Sequence, residues 1–348
     1  MKLREQRMRL SLAFLTLAVV FCHPAAAQEH ALFPAGGIRP NAVLQGKLGS
    51  CYFHSVIAAM AQAEPERLRR MIEPLEGDGY RVTFADGRQE TVQKQDLEYA
   101  RNNGYDLSEG EWVNVLFRAY AQRVLRESLI KAIASHLYFD TLKTLFTSYA
   151  NEHDELLQAY DRAIRDQVAQ NGSFDAVAFQ KHLHTQLQAL NPPATIRGVL
   201  EEAAGNPTFL QTVKDMIADN GELFGAYRAV GQGGFMERTL ELFTGGSEGF
   251  QNESVEDTAR ILRQSLATSA PMVAGTAGSR YEQMEAGNTP LPEDAAKWYV
   301  SKHSYTVLDF DGAEVTLRNP WGDPKPYGVF RISLEEFNQA FWGIHRGK

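Results

Sequence analysis

Cysteine, long apolar runs and excess positive charge are all scarce in this sequence. The 348 residues include two cysteines, too few for a disulfide-stapled scaffold or a cysteine-rich zinc site. The formal net charge of −8 argues against a nucleic-acid-binding surface over the whole chain. No apolar run reaches the roughly 20 residues that a membrane-spanning helix needs. With 44% hydrophobic and 22% charged residues, the composition is that of a globular protein with a packed core.

The first 27 residues have the pattern of a secretory signal peptide. Four basic residues precede an apolar segment over 10–21, and Ala25-Ala26-Ala27 offers a cleavage site after Ala27. An apolar segment of this length is too short to cross a bilayer, so we expect it to be removed rather than to act as an anchor. We therefore predict a secreted or periplasmic protein without a membrane span.

Cleavage after Ala27 also removes Cys22 and leaves Cys51 as the remaining cysteine. An unpaired cysteine in an oxidising compartment suggests a reactive thiol or an intermolecular bridge. Cys51 lies between a glycine-rich stretch over 45–50 and an apolar, helix-compatible segment. This predicts a helix N-terminus at Cys51, where unpaired N–H groups and the helix dipole lower a thiol pKa and favour the nucleophilic thiolate. The alternative is a small buried cysteine without a chemical role.

A cysteine nucleophile needs a base, and the base needs an orienting group. His303 lies in an alternating, β-branched and aromatic run over 302–310 that predicts a strand. The Asp311-Gly312 turn and a second alternating run over 314–318 complete a predicted hairpin. This hairpin can bring His303 beside Asn319, whose amide can hold the imidazole in one tautomer.

Other residues complete or compete with this arrangement. Gln45 is the natural side-chain donor to an oxyanion, together with the backbone N–H of Cys51. Trp321 is expected to shield the hydrogen bond of His303 from water. His54, three residues after Cys51 on the same predicted helix, stays open as an alternative base.

At this point the motifs resemble those of the calpain catalytic domain, a branch of the papain-like cysteine proteases. The segments that carry the resemblance, in chain order, are Gln45-Gly-x-Leu-Gly-x-Cys51, 111–121, Leu242-Phe243-Thr244-Gly245-Gly246, His303-Ser-Tyr-Thr-Val307, Arg318-Asn-Pro-Trp-Gly322 and 328–337. Together they cover about residues 36–121 and 232–345.

The resemblance implies an α+β, papain-like fold of two lobes with the cleft between them, and the hydrolysis of peptide bonds through an acyl-thioester. The implied roles are nucleophile for Cys51, general base and acid for His303, orienting residue for Asn319, oxyanion donor for Gln45, and lining or shielding of the substrate cleft for Gly49, Ser50 and Trp321. The implied partner is a protein or peptide substrate. Two alternatives stay open: an acyl or peptidyl transferase on the same triad, and a non-catalytic exported binding module.

The stretch between Cys51 and His303 is about a hundred residues longer than papain-type enzymes usually show. Its middle part, 122–231, repeats an apolar period of three to four and predicts an inserted helical subdomain. The predicted breaks between its helices are Asn191-Pro192-Pro193, Gly205-Asn206-Pro207 and Asn220-Gly221. We expect a Cys-bearing helical lobe over 28–246, which includes this insertion, and a β-rich lobe over 247–348. The insertion is either added core or a lid or regulatory-partner surface.

Calcium is the cofactor that the resemblance implies, but the sequence departs from the family at the expected positions. The segment 41–44 before Gln45 has no carboxylate, and the segment 323–327 after Gly322 has Asp323 alone. Calcium sites need several carboxylate or carbonyl oxygens. We therefore predict no cofactor and no metal site, with any calcium dependence weakened or lost.

Overall fold

The computed structural model describes residues 31–77, 79–153, 155–156, 159, 163, 175–217, 226–251, 254–277, 297–322 and 328–348. Over these residues the chain is a mixed α+β protein, so the predicted α+β class is confirmed. The predicted signal peptide over 1–27 and the predicted break at Asn220-Gly221 lie outside the described residues.

Helices and strands alternate in blocks along the chain. The helices are α1 (Cys51–Ala63), α2 (Pro65–Met71), α3 (Lys94–Asn102), α4 (Trp112–Ser135), α5 (Asp140–Glu152), α6 (Ala176–Leu190), α7 (Ala194–Gly205), α8 (Pro207–Ile217), α9 (Ala226–Val230), α10 (Met236–Thr244), α11 (Val255–Ala267) and α12 (Leu334–Ala340). The strands are β1 (Ile72–Leu75), β2 (Gly79–Thr83), β3 (Gln89–Gln93), β4 (Ser247–Gln251), β5 (Met272–Thr276), β6 (Ser304–Phe310), β7 (Glu314–Arg318), β8 (Val329–Ser333) and β9 (Phe341–Gly347).

The larger sheet has the strand order β4-β9-β5-β6-β7-β8, and neighbouring strands are antiparallel. Strands β6 and β7 form the predicted hairpin, with Val307 opposite Leu317. The predicted hairpin is therefore confirmed, although β6 begins at Ser304 and leaves His303 just before the strand. His303 thus lies directly before β6, and Asn319 lies directly after β7.

A smaller sheet in the first third of the chain was not predicted. Strands β1, β2 and β3 form an antiparallel meander. The signal was present in the sequence, because Asp86-Gly87 separates two short alternating runs, and Gly87 has a positive φ of 80°. The segment predicted as a purely helical lobe thus contains this sheet as well.

Two hydrophobic clusters make up the described core. The first joins α1, α4 and α10 to the helices of the predicted insertion, with Phe53, Phe117 and Phe243 among its fully buried members. The second packs α11 and α12 against the larger sheet and includes Leu262 and Tyr305. Helix α1, which begins with Cys51, contacts β6 and so lies where the two clusters meet.

The predicted insertion grows out of a continuous helix. Helix α4 runs without interruption through residue 122, so the boundary predicted there is wrong. The breaks predicted at Asn191-Pro192-Pro193 and at Asn206 do separate α6 from α7 and α7 from α8. Buried residues of the insertion such as Phe146 and Leu187 belong to the same hydrophobic cluster as α1. These insertion residues therefore extend the core. A lid or partner-binding role for 122–231 stays a prediction.

None of the helices among the described residues combines the length and the apolar character that a membrane crossing requires.

Candidate active site

The loop that leads to Cys51 passes between two other backbone segments. A Cβ atom on Gly46 would lie 2.2 Å from the carbonyl oxygen of Gly104, and one on Gly49 would lie 2.9 Å from that of Gly231. The N–H of Gly49 donates to the Gly231 oxygen at 2.7 Å. Glycine is required at both positions because any side chain would collide with backbone. The backbone at Gly231 thus supports the loop that leads to Cys51.

Helix α1 is fastened to strand β6 one turn after Cys51. The hydroxyl of Ser55 donates to the carbonyl oxygen of Ser304 at 2.8 Å, and the hydroxyl of Thr306 donates to the carbonyl oxygen of Ser55 at 2.8 Å. All three hydroxyl-bearing residues are buried. These reciprocal bonds set the first turn of α1 beside the residue that follows His303.

Burial governs the charge state of Cys51. It raises the pKa of the Cys51 thiol, and the N–H groups of Ser304, Tyr52 and Cys51 itself partly offset the effect. The helix N–H groups therefore act in the predicted direction, but the prediction of a lowered pKa is wrong because desolvation is the larger influence. The donation from Ser304 also places the sulfur against the start of β6.

His303 and Asn319 form the predicted pair. The distance between His303 Nε2 and Asn319 Oδ1 is 3.0 Å, and the backbone N–H of Trp321 donates to the same oxygen at 3.1 Å. Because Oδ1 accepts from both sides, Nε2 carries the proton and Nδ1 keeps the lone pair. Both side chains are buried. The amide thus holds the imidazole in the tautomer that leaves the Nδ1 lone pair able to accept a proton.

Aromatic rings enclose this imidazole. The ring of Trp321 lies 4.7 Å from that of His303, and Tyr305 meets it edge-on at 4.9 Å. Burial lowers the pKa of His303 to about 4, an effect that the hydrogen bond with Asn319 partly offsets. The imidazole is therefore neutral at pH 7 and able to accept a proton.

The remaining predicted residues differ in what they can contribute. Gln45 is buried, and its Nε2 donates to the carbonyl oxygen of Leu48 at 2.6 Å, which leaves the second N–H of the same amide. Its backbone N–H donates to Pro320, next to Asn319, at 2.9 Å. Gly49 is exposed, and its place in a substrate cleft stays a prediction. Ser50 is fully buried, so the prediction that it lines the substrate cleft is wrong.

His54 is occupied elsewhere. Its Nδ1 faces Ser50, 3.0 Å from the carbonyl oxygen and 3.2 Å from the hydroxyl, and its Nε2 lies 3.3 Å from Asp106 Oδ1. With both nitrogens engaged in a fully buried ring, His54 does not serve as the alternative base. No local pattern predicts this cluster, because Asp106 lies far along the chain from the helix that it contacts.

Carboxylates are scarce among the described residues at the positions where the resemblance implies calcium. Segment 41–44 supplies no carboxylate. The side chain of Leu44 packs against Gly322, where an added Cβ atom would lie 2.1 Å from Leu44 Cδ2. Asp323 lies outside the described residues. Within the part of the chain that is described, no three His, Cys, Asp or Glu side chains group as a metal site would require. No step of the reaction below involves calcium.

Comparison with protein-family models and with curated proteins gives no match to this sequence.

Proposed function

We propose that this protein is an exported cysteine endopeptidase of papain-like, two-lobed fold, similar to the calpain catalytic domain. The observation that carries the proposal is the pairing of His303 with Asn319, next to Ser304, whose N–H donates to Cys51 at a helix N-terminus. Cys51 lies far along the chain from the hairpin that carries the other two residues, and His303 has in Asn319 the orienting partner that its proposed role needs. The two hydrophobic clusters, one with α1 and the other with the larger sheet, support the two-lobed arrangement.

The proposed reaction starts from a neutral pair, because the pKa of Cys51 is raised and that of His303 is lowered to about 4. His303 Nδ1 takes the thiol proton as the Cys51 sulfur attacks the scissile carbonyl carbon. The Gln45 amide and the backbone N–H of Cys51 stabilise the oxyanion of the tetrahedral intermediate.

Collapse of that intermediate breaks the C–N bond, and the imidazolium of His303 gives its proton to the leaving amine. The acyl group then remains on Cys51 as a thioester. His303 next takes a proton from water, whose oxygen attacks the thioester, and the thiol leaves with the proton returned. Asn319 holds the imidazole in one tautomer throughout, and Trp321 keeps water from their hydrogen bond.

Incubation with an unfolded protein substrate, followed by mass spectrometry of new termini, tests the proposal. We expect cleavage by the parent chain and loss of it in Cys51→Ala and in His303→Ala, while His153→Ala, a change at a half-exposed histidine, cleaves normally. A folded parent chain that produces no new termini would contradict hydrolysis. With a free amine added, acyl–amine products in place of free carboxylates would instead support the transferase alternative.

A further inference from the structure

A buried polar cluster beside the proposed active site plays no part in the chemistry described above. It consists of Ser50, His54, Asp106 and Ser108, and we call it the His54 relay. Ser50 and His54 are fully buried and Asp106 is 7% exposed. Contact with a substrate is therefore excluded, and any influence on the reaction must act through other residues.

At one end the relay holds the first turn of α1. Ser50 precedes this helix, where a serine hydroxyl ordinarily accepts a hydrogen bond from a first-turn N–H. Here the hydroxyl makes no such bond and lies 3.2 Å from His54 Nδ1. The first-turn N–H groups, including that of Cys51, are thus left without a serine cap.

At the other end the relay holds the segment that carries Gln45. His54 Nε2 lies 3.3 Å from Asp106 Oδ1, and the Ser108 hydroxyl donates to the same oxygen at 2.6 Å. Asp106 forms an antiparallel β-bridge with Gln45. The backbone N–H of Leu44 donates to the Ser108 hydroxyl oxygen at 2.8 Å. A single histidine therefore connects the nucleophile helix to the segment of the proposed oxyanion donor.

Packing alone does not require a histidine at this position. The ring lies 5.2 Å from that of Phe53 and 5.3 Å from that of Phe117, so its surroundings on that side are aromatic. An apolar side chain could fill the same space. What an apolar residue could not do is bridge Ser50 and Asp106.

We propose that His54 is a positioning residue that fixes the Gln45 amide relative to the first turn of α1. The inference rests on the proposed function, in which these two groups supply the donors to the oxyanion. Such donors lower the barrier only when their geometry is held in advance, and a misplacement of about 1 Å costs about 10²-fold in rate.

The test compares the parent chain with His54→Leu, Asp106→Asn, their combination and the conservative His54→Gln. If His54→Leu misplaces the Gln45 amide, kcat should fall by about 10²-fold while KM stays within about twofold of the parent value. His54→Gln, which keeps a donor toward Asp106, should recover at least about tenfold of that loss. Because the two residues act as one unit, the double variant should be no slower than the slower single variant. Independent, multiplying effects would overturn the proposal.

Alkylation of Cys51 by iodoacetamide separates positioning from general damage, because it requires the thiol but no oxyanion. We expect rates within about twofold of the parent in every variant, since only acyl transfer uses the oxyanion donors. A loss of alkylation in parallel with kcat, or a rise in KM at unchanged kcat, would overturn the proposal. His153→Leu serves as the control.

Hydrogen exchange distinguishes a failure of this inference from a failure of the proposed function. The N–H groups of Gln45 and Leu107 donate to Pro320 and Leu44. In His54→Leu these two amides should exchange at least about tenfold faster, while amides of β7 and β8 should be unchanged. Unchanged exchange at both amides would overturn the inference. A parent chain that cleaves no peptide overturns only the proposed function, because the exchange measurement needs no substrate.

Discussion

At the scale of single residues, the absence of a side chain at Gly49 sets the backbone two residues before the proposed nucleophile Cys51. The distance from the Gly49 nitrogen to the carbonyl oxygen of Gly231 is 2.7 Å, and a Cβ atom on Gly49 would lie 2.9 Å from that oxygen. The Gly231 oxygen and a Cβ atom at residue 49 are both fixed to backbone, so neither could move away without a shift of the main chain. The loop geometry ahead of Cys51 therefore depends on residue 49 being glycine.

We predict that Gly49→Ala lowers the free energy of unfolding by about 1–3 kcal/mol, the usual cost of an overpacked contact. The matched control is Gly198→Ala in α7, where a Cβ would meet nothing within 4 Å. Alanine there should raise stability by up to about 1 kcal/mol, because it is the better helix former. Urea unfolding of the three proteins measures both effects, and equal stability of Gly49→Ala and the parent would contradict the close approach.

The charge states of Cys51 and His303 mark where residue-level reasoning from the sequence stops. The helix N-terminus at Cys51 was predictable, because a glycine-rich stretch ran into an apolar one. The direction of its pKa was not, because the burial that raises it comes from elements far along the chain, β6 among them. Local sequence reports the nearby N–H groups, whereas desolvation is a property of the assembled protein.

At the scale of elements, the contact of α1 with β6 holds Cys51 against Ser304, the residue that follows the proposed base His303. The Ser55 hydroxyl and the Thr306 hydroxyl each reach across to the other element's backbone. Apolar residues around them supply the packing, but only these bonds specify which turn of α1 faces Ser304.

We predict that Ser55→Ala destabilises the protein by about 1–3 kcal/mol, since a buried carbonyl loses its hydroxyl partner. It should also slow alkylation of Cys51, because the sulfur shifts from the Ser304 N–H. Ser148→Ala, at an exposed serine of α5, is the control and should change stability by less than about 0.5 kcal/mol. Thermal unfolding and timed alkylation measure the two effects. A parent-like alkylation rate in a destabilised Ser55→Ala would show that this contact does not position Cys51.

Elements with a local signal were predictable and those with a distant cause were not. The β6–β7 hairpin followed from alternation around Asp311-Gly312, and the helix breaks followed from Asn-Pro sequences. The boundary at residue 122 failed because α4 continues unbroken, and a helix that serves both the core and the insertion shows no change in period there. The His54 relay had no sequence signal, since Asp106 reaches His54 only through the fold.

At the scale of the whole molecule, the first part of the chain is held to the last by bonds at the proposed site. The buried guanidinium of Arg318 donates to the carbonyl oxygen of Val43, and Gln45 donates its N–H to Pro320. Asn319 lies between these two anchors. Folding and assembly of the site are therefore the same event.

We predict that the stability of the protein depends on pH through the burial of His303. The pKa of His303 falls from 6.5 to about 4 on folding, because burial disfavours the imidazolium. The contribution of this group to the free energy of unfolding is fully present above pH 6.5. It is lost as the pH falls toward 4, because the unfolded chain takes up the proton at a higher pH than the folded chain does. The loss between pH 7 and pH 4 should be about 3 kcal/mol.

Unfolding of His303→Gln over the same range tests this dependence. The variant should lack that portion of the pH dependence. It should keep any part of the pH dependence that is due to His345. Burial also lowers the pKa of His345, despite the opposing influence of Glu237. An unchanged pH dependence in His303→Gln would mean that the imidazole is not buried in its neutral form.

Labelling with an epoxide inhibitor specific for activated cysteines shows whether Cys51 and His303 act as one activated pair. The purified chain is treated with and without a calcium chelator, and the adduct is located by mass spectrometry. We predict a single adduct on Cys51, unaffected by the chelator and abolished in His303→Ala. A folded protein that gives no adduct under either condition, or an adduct that survives in His303→Ala, would contradict the account.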